Sequence, residues 1–366
     1  MFLMKYALSP GADWAYSYIF NSYAALPAAC GRLNMLRKNA SFSVCALIGT
    51  MLPFSRKQAM AIRILDGGMG RELLRIGAPF QQPEWSALAL IEAPEFVRTA
   101  HDSFVRAGAD TITTNSYAVV PFHIGDERFA ARGRELADRA GSLARAAAGA
   151  SQHPVQVAGS LPPVLGSYRP DLFDAAAAAP LLKTLVEGLS PHVDLWLGET
   201  LSSTAEAVAA HAALGSDTRP LWLSFTLDDT ADVEAIVAGR VAPTLRSGES
   251  IEAALAVALA LGAKAFLFNC SQAEIMEAAV RTARLARDAA KADIALGVYA
   301  NTFVPERQRG AANAGLSALR EDLQPAGYAA FARRWSDAGA SIIGGCCGVG
   351  PEHIELLASA VRAESL

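Results

Sequence analysis

Cys270, Cys346 and Cys347 are the residues of this sequence best placed to do chemistry. The first closes an apolar and aromatic run, Ala265-Phe266-Leu267-Phe268-Asn269-Cys270, and the other two lie inside Ile343-Gly344-Gly345-Cys346-Cys347-Gly348. With Cys30 and Cys45 far upstream, an odd set of three in a large chain does not form a disulfide framework and points to a reducing compartment and to metal or catalytic use. Soft thiolates suit Zn²⁺, and three protein ligands with a fourth position open make a catalytic arrangement rather than a closed structural one. Adjacent residues of a regular strand point to opposite faces, so Cys346 and Cys347 can share an ion only where the backbone leaves strand geometry, which Gly344, Gly345 and Gly348 permit. Two plainer readings stand beside this one: a free cysteine often serves as a small buried hydrophobe, and neighbouring thiols can close a strained redox disulfide.

The chemistry such a site would supply is thiol activation. An alkyl thiol with a pKa of about 8.5 is only slightly ionised at neutral pH, yet the thiolate is the nucleophile. A bound Zn²⁺ deprotonates a substrate thiol outright, and three anionic ligands keep the bound sulfur electron-rich. The group attacked would be a methyl on a positively charged donor. The product, a neutral thioether, is a weak ligand and leaves without help from a general base.

Three distant thiols need a scaffold that brings strand ends together. From Met60 onward, eight β-branched or aromatic runs (62–68, 111–117, 155–161, 195–201, 221–227, 265–271, 296–301 and 341–347) are each followed by a stretch with helical period. Their spacing leaves room for a crossover helix each time, which favours parallel pairing and predicts a (β/α)₈ barrel. Gly108, Gly262 and Gly339 share one local pattern, a helix-ending glycine three residues before an apolar strand. Phe96, Val97, Ala100, Phe104 and Val105 form one apolar stripe with Arg98 and Asp102 outside it, as expected of a helix laid on the sheet; 251–261 and 274–290 behave alike. Active sites of such barrels lie at the carboxyl ends of the strands. Those ends are polar or small here: Asp66-Gly67-Gly68, Thr114-Asn115-Ser116, Gly159-Ser160, Glu199-Thr200, Ser224-Phe225-Thr226, Asn269-Cys270 and the Gly-Gly-Cys-Cys-Gly run.

Composition narrows the function further. The 366 residues are 52% apolar and 19% charged with a formal charge of −4, which describes a globular protein without a basic footprint for nucleic acid. Residues 1–59 carry six Lys or Arg against the single acid Asp13 and show no sustained period, so a boundary is expected near residue 60. Three readings of that extension stay open: an upstream start with Met60 the true one, an acid-poor targeting segment, or an accessory arm. Its apolar stretch 42–54 contains Gly49 and Pro53 and is too short to span a bilayer. The six histidines form no spaced ligand pair and read as surface residues, and Trp196 and Trp222 read as packing.

Together, Asp66-Gly67-Gly68-Met69-Gly70, Ala107-Gly108-Ala109-Asp110, Thr113-Thr114-Asn115-Ser116-Tyr117, Gly198-Glu199-Thr200, Ser224-Phe225-Thr226, Asn269-Cys270 and Gly344-Gly345-Cys346-Cys347-Gly348 resemble the homocysteine S-methyltransferase family over residues 62 to about 356. The resemblance implies one barrel domain from 60 to 366, Zn²⁺ on Cys270, Cys346 and Cys347, and small-molecule substrates in a cytoplasmic enzyme that makes methionine. By the same resemblance, Asp66 and Glu199 receive the amino group of homocysteine, and the backbone of Gly67 and Gly68 meets its carboxylate. Asn115, Tyr168 and Asn301 are further pocket candidates. After the third strand this chain has Gly159-Ser160-Leu161-Pro162-Pro163 where many relatives have Gly-Ser-Val-Gly-Pro, and this departure, with 166–171, falls on the donor side. S-methylmethionine is the expected donor, with S-adenosylmethionine next. Betaine, another thiol acceptor, a zinc hydrolase or a barrel that only binds zinc or an amino acid are the alternatives.

Overall fold

The computed structural model describes residues 62–305 and 317–364. The boundary expected near residue 60 lies outside them, as does the middle of the long loop expected at 302–324. Eight strands follow in order: β1 (Arg63–Ile64), β2 (Thr111–Thr113), β3 (Gln156–Leu161), β4 (Leu195–Leu201), β5 (Leu221–Phe225), β6 (Ala265–Asn269), β7 (Ala295–Tyr299) and β8 (Ile342–Ile343). They pair in parallel in the order β1-β8-β7-β6-β5-β4-β3-β2. The ring closes where Leu65 bridges Thr111, the Asp66 amide donates to the Thr111 carbonyl (3.0 Å) and the Asp110 amide to that of Ile64 (2.8 Å). Helices lie between successive strands, so the expected (β/α)₈ barrel is the fold.

Two apolar layers hold it. Inside the ring, Leu65, Leu195, Leu197, Leu267 and Ile342 pack with Trp222 and Tyr299. A larger layer between strands and helices includes Trp196, Phe104, Phe266 and Trp335, all fully buried. The stripe read from the sequence is part of it: Val97, Ala100, Phe104 and Val105 of the helix Pro94–Arg106 are buried. Gly108, Gly262 and Gly339 have φ of +101°, +72° and +123°, the left-handed region that stops a helix cheaply only with glycine.

β1 and β8 are shorter than their apolar runs suggest. The cause is packing: a Cβ on Gly344 would overlap Leu65, and one on Gly67 would overlap the Val349 carbonyl, so both chains leave the ladder early to press their loops together.

The histidines correct the sequence reading. His101, His123 and His353 are buried, because one polar ring on an amphipathic stripe gives no sequence signal of its depth. His101, on the inner face of Pro94–Arg106, has no hydrogen-bond partner for either ring nitrogen among the described residues. Burial pushes its imidazole down to about 4. The unfolded chain therefore takes up a proton below about pH 6.5 while the folded one does not until about pH 4, so acidification favours unfolding across that window, by up to about 3 kcal/mol. His101→Leu is expected to flatten the fall in stability between pH 6.5 and 4 in denaturant titrations; parallel slopes for variant and parent would contradict this. No helix of the described residues is long and apolar enough to cross a membrane.

Candidate active site

The carboxyl end of the barrel opens into a cavity of about 860 Å³ lined by Asp66, Gly67, Gly68, Asn115, Tyr168, Glu199, Asn301 and all three cysteines. Every site residue expected from the sequence thus reaches one space. The Sγ atoms of Cys270, Cys346 and Cys347 all lie within 4.8 Å of one another.

Cys270 takes φ +50°, off the end of β6, which turns its side chain into the mouth. Asn269 fixes that exit: its Oδ1 accepts from the Thr200 amide (3.0 Å) and the Ser224 hydroxyl (2.7 Å), and its Nδ2 donates to Thr200 Oγ1 (2.9 Å). Cys346 and Cys347 lie beyond β8, where the ladder has ended, and so escape the alternation that would part them. The backbone after β7 serves both loops. The Cys270 amide donates to the Tyr299 carbonyl (3.2 Å), the Cys346 amide to that of Ala300 (3.0 Å), and the Thr302 amide to that of Cys347 (3.0 Å). Gly348 follows at φ +87°, with no room for a Cβ beside Thr302.

These sulfurs suit a tetrahedral thiophilic ion. A Zn–S distance of about 2.3 Å sets two sulfurs about 3.8 Å apart, and Cys347 stands 3.8 Å from Cys270 and 4.0 Å from Cys346. Hydrogen bonds from Cys346 and Cys347, then from Tyr168, draw the Cys270 thiol well below its ordinary value, while Cys346 and Cys347 are pushed up by their contact with Cys270. One thiolate forms readily in this cluster, and three together call for a cation among them. Gly68→Ala probes the arrangement, since its Cβ would stand 2.6 Å from the Cys346 carbonyl and force the loops apart. It is expected to weaken Zn²⁺ binding by at least about tenfold, some 1.4 kcal/mol, in chelator competition; unchanged affinity would refute the tight apposition.

Two carboxylates face the thiols. Asp66 accepts the Thr113 amide (2.7 Å) and hydroxyl (3.1 Å), and burial pushes it up to about 8. Glu199 lies where β4 loses register with β5 between Gly198 and Leu201 and where Thr200 turns to φ +59°. It accepts the Ser160 hydroxyl, and burial pushes it up to about 7. Each is nearly dehydrated, so a cationic partner in the cavity would be paid back by ionising them. One amide of the Gly-Gly turn differs from the expectation. The Gly68 amide, expected to meet an anion, donates to the Val349 carbonyl (2.9 Å), because the turn is stacked on the cysteine loop. Asn115 Nδ2 donates to the Ser86 carbonyl (3.1 Å) and Asn301 Oδ1 accepts from the Phe303 amide (3.2 Å), so both brace cavity walls.

Sequence reading missed two guanidinium groups in the wall, Arg71 and Arg246, whose Nε atoms are buried without a partner among the described residues. Arg71 sits one turn past the glycines. Arg246 ends an insertion after β5 that reads as surface loop, and only the fold carries it inward.

Comparison with known proteins agrees with this geometry. A family profile described as homocysteine S-methyltransferase matches residues 63–361. Homocysteine S-methyltransferase 1 of Arabidopsis thaliana is 29% identical over 82% of this chain and 94% of its own. Selenocysteine Se-methyltransferase of Brassica oleracea var. italica is 26% identical over 82% and 89%. Among solved structures, the metallated form of the homocysteine methyltransferase MmuM from Escherichia coli is 26% identical, with a TM-score of 0.61 over 82% of this chain and 96% of that one. The profile covers most of the chain, and this protein belongs to the homocysteine S-methyltransferase family.

Proposed function

We propose that the protein transfers a methyl group from a sulfonium donor to the thiol of homocysteine, giving methionine, at a zinc centre held by Cys270, Cys346 and Cys347. The observation that carries this reading is the convergence of three thiols and two buried carboxylates on one cavity. When bound, Zn²⁺ would lower the pKa of the substrate thiol so that the thiolate is available at neutral pH. The chain's own residues supply the rest. Asp66 and Glu199 receive the α-ammonium through charge-assisted hydrogen bonds, which aims the substrate sulfur toward the cysteines. Tyr117, Tyr168 and Phe303 give the cavity wall aromatic faces along the approach of the donor. The methyl carbon forms a bond to the substrate sulfur as its bond to the donor sulfur breaks. The electron pair stays on the donor, which leaves as a neutral thioether. Free thiols at the centre suit a reducing compartment, and we place the enzyme in the cytoplasm.

S-methylmethionine is the donor we favour. Purified, zinc-loaded protein should form methionine from homocysteine with S-methylmethionine in preference to S-adenosylmethionine or betaine, followed by mass spectrometry. Selenocysteine in place of homocysteine tests the acceptor named for one relative. Absence of methionine with all three donors would overturn the proposal.

A further inference from the structure

We infer that Arg246 is the receptor for a carboxylate on the methyl donor, so that the donor is a sulfonium amino acid gripped at the end away from its methyl groups. This rests on the methyl-transfer reading above and deepens it.

Arg246 is delivered by the insertion after β5. Antiparallel bridges pair Leu227 with Leu245 and Thr244 with Ser250, and the Arg246 amide donates to the Thr226 carbonyl (3.0 Å), which brings its root back to the strand end. Its side chain lines the cavity and is only 14% exposed. One Nη pairs with Asp229 (2.6 Å), and Asp229 also accepts the Gln272 amide (3.2 Å), tying the group to the loop that carries Cys270. The guanidinium lies 4.8 Å above the centre of the Tyr168 ring, and the hydroxyl of that ring is 2.8 Å from Cys270 Sγ. The cation is therefore one phenol ring away from the thiols.

Its Nε is buried and has no acceptor among the described residues. A buried donor left unmade is costly, whereas a guanidinium already fixed by one carboxylate and one aromatic face presents the rest of its fork to a second carboxylate. The placement of the two guanidinium groups in the wall makes this the donor side. Arg71, the other guanidinium in the wall, is on the helix that follows Asp66, the side that receives the acceptor's ammonium, whereas Arg246 reaches the cavity from the insertion after β5. Two amino acids meeting tail to tail at the thiols would each find one guanidinium. A donor without a carboxylate leaves the Arg246 Nε unsatisfied, and sites built to bond a polar group reject analogues that lack it far more strongly than they reject a missing methylene.

The test compares S-methylmethionine with trimethylsulfonium, which has the reactive centre and no carboxylate, using zinc-loaded wild type, Arg246→Gln and Arg246→Lys. Wild type is expected to favour S-methylmethionine in kcat/KM by about 100-fold. In Arg246→Gln this ratio should fall to within a few-fold of unity, with Arg246→Lys between, and calorimetric affinity for S-methylmethionine should drop by at least about 30-fold. The KM for homocysteine should move far less than the KM for S-methylmethionine. If the Gln variant melts early because Asp229 is left unpaired, the Lys variant decides by the same ratio. A wild type that methylates homocysteine equally well from both donors, or variants that keep the wild-type ratio, would overturn the subsite and leave the methyl-transfer reading standing. A wild type that turns over neither of these donors, nor S-adenosylmethionine or betaine, would overturn that reading, while Arg246-dependent binding of S-methylmethionine would still uphold the subsite and its absence would end both.

Discussion

Cys347→Ser is expected to abolish measurable turnover, a loss of at least about 10³-fold, and to reduce bound zinc from about one equivalent to a small fraction of that. Cys347 is the sulfur that stands within 4.0 Å of both others, so its removal deletes the ligand nearest to the remaining pair. An alcohol is a far poorer ligand than a thiolate at neutral pH, and the free substrate thiol is then left with a few per cent of its nucleophilic form. The fold should survive, because the three cysteines form no disulfide and the apolar layers do not depend on Cys347. Metal analysis, thermal melting and a methionine assay on one preparation separate the outcomes. Wild-type turnover by a metal-free Cys347→Ser protein would remove the thiol centre from the reaction.

Glu199→Gln should raise the KM for homocysteine by about 10- to 100-fold with a smaller change in kcat, since a charge-assisted hydrogen bond in a buried site contributes on the order of 1.5–3 kcal/mol. Asp66→Asn should behave alike, and the double variant should lose less than the sum because Glu199 raises the proton affinity of Asp66 and both would serve one ligand group. Their protonation sets a pH dependence. With Glu199 pushed up to about 7 and Asp66 to about 8, acidification below that range neutralises both, so kcat/KM for homocysteine is expected to rise from pH 6 to about pH 8. Glu199→Gln should remove the lower part of the rise. A profile that keeps its shape in both single variants would exclude these groups as ammonium partners.

The same raised values bear on stability with the opposite sign to His101. A carboxyl whose folded pKa is above its unfolded one gains stability on acidification, through the window from about 8 down to about 4. Part of the acid stability lost through His101 is thereby offset by Asp66 and Glu199, and a bound ammonium that ionises both carboxylates should make the protein's melting temperature more sensitive to acid.

How much of this was legible beforehand depended on whether the signal was local. Apolar runs ending in polar residues gave all eight strands, and the three helix-stopping glycines were readable because positive φ excludes side chains at the position itself. The cysteines were readable because barrel topology turns remote strand ends into neighbours. Burial of His101 was not, since the helical stripe tolerates one polar ring without changing its period. The engagement of the Gly68 amide leaves no local signal because its partner, the Val349 carbonyl, comes from nearly the other end of the chain. Arg246 was invisible for a related reason: an insertion rich in turns and charge reads as solvent-facing until two short antiparallel bridges fold it over the mouth.

The shelf behind the thiols has a consequence for how such a site can change. Backbone from Tyr299 to Thr302 holds the Cys270 loop and the Cys346–Cys347 loop at once, through carbonyls and an amide that belong to no ligand. The gap between sulfurs is therefore gauged by the main chain of four residues, and so by their number. A substitution along this stretch leaves these main-chain bonds in place, whereas adding or removing a single residue there would shift one loop against the other by a whole peptide unit. The spacing of the thiols is inherited as a chain length.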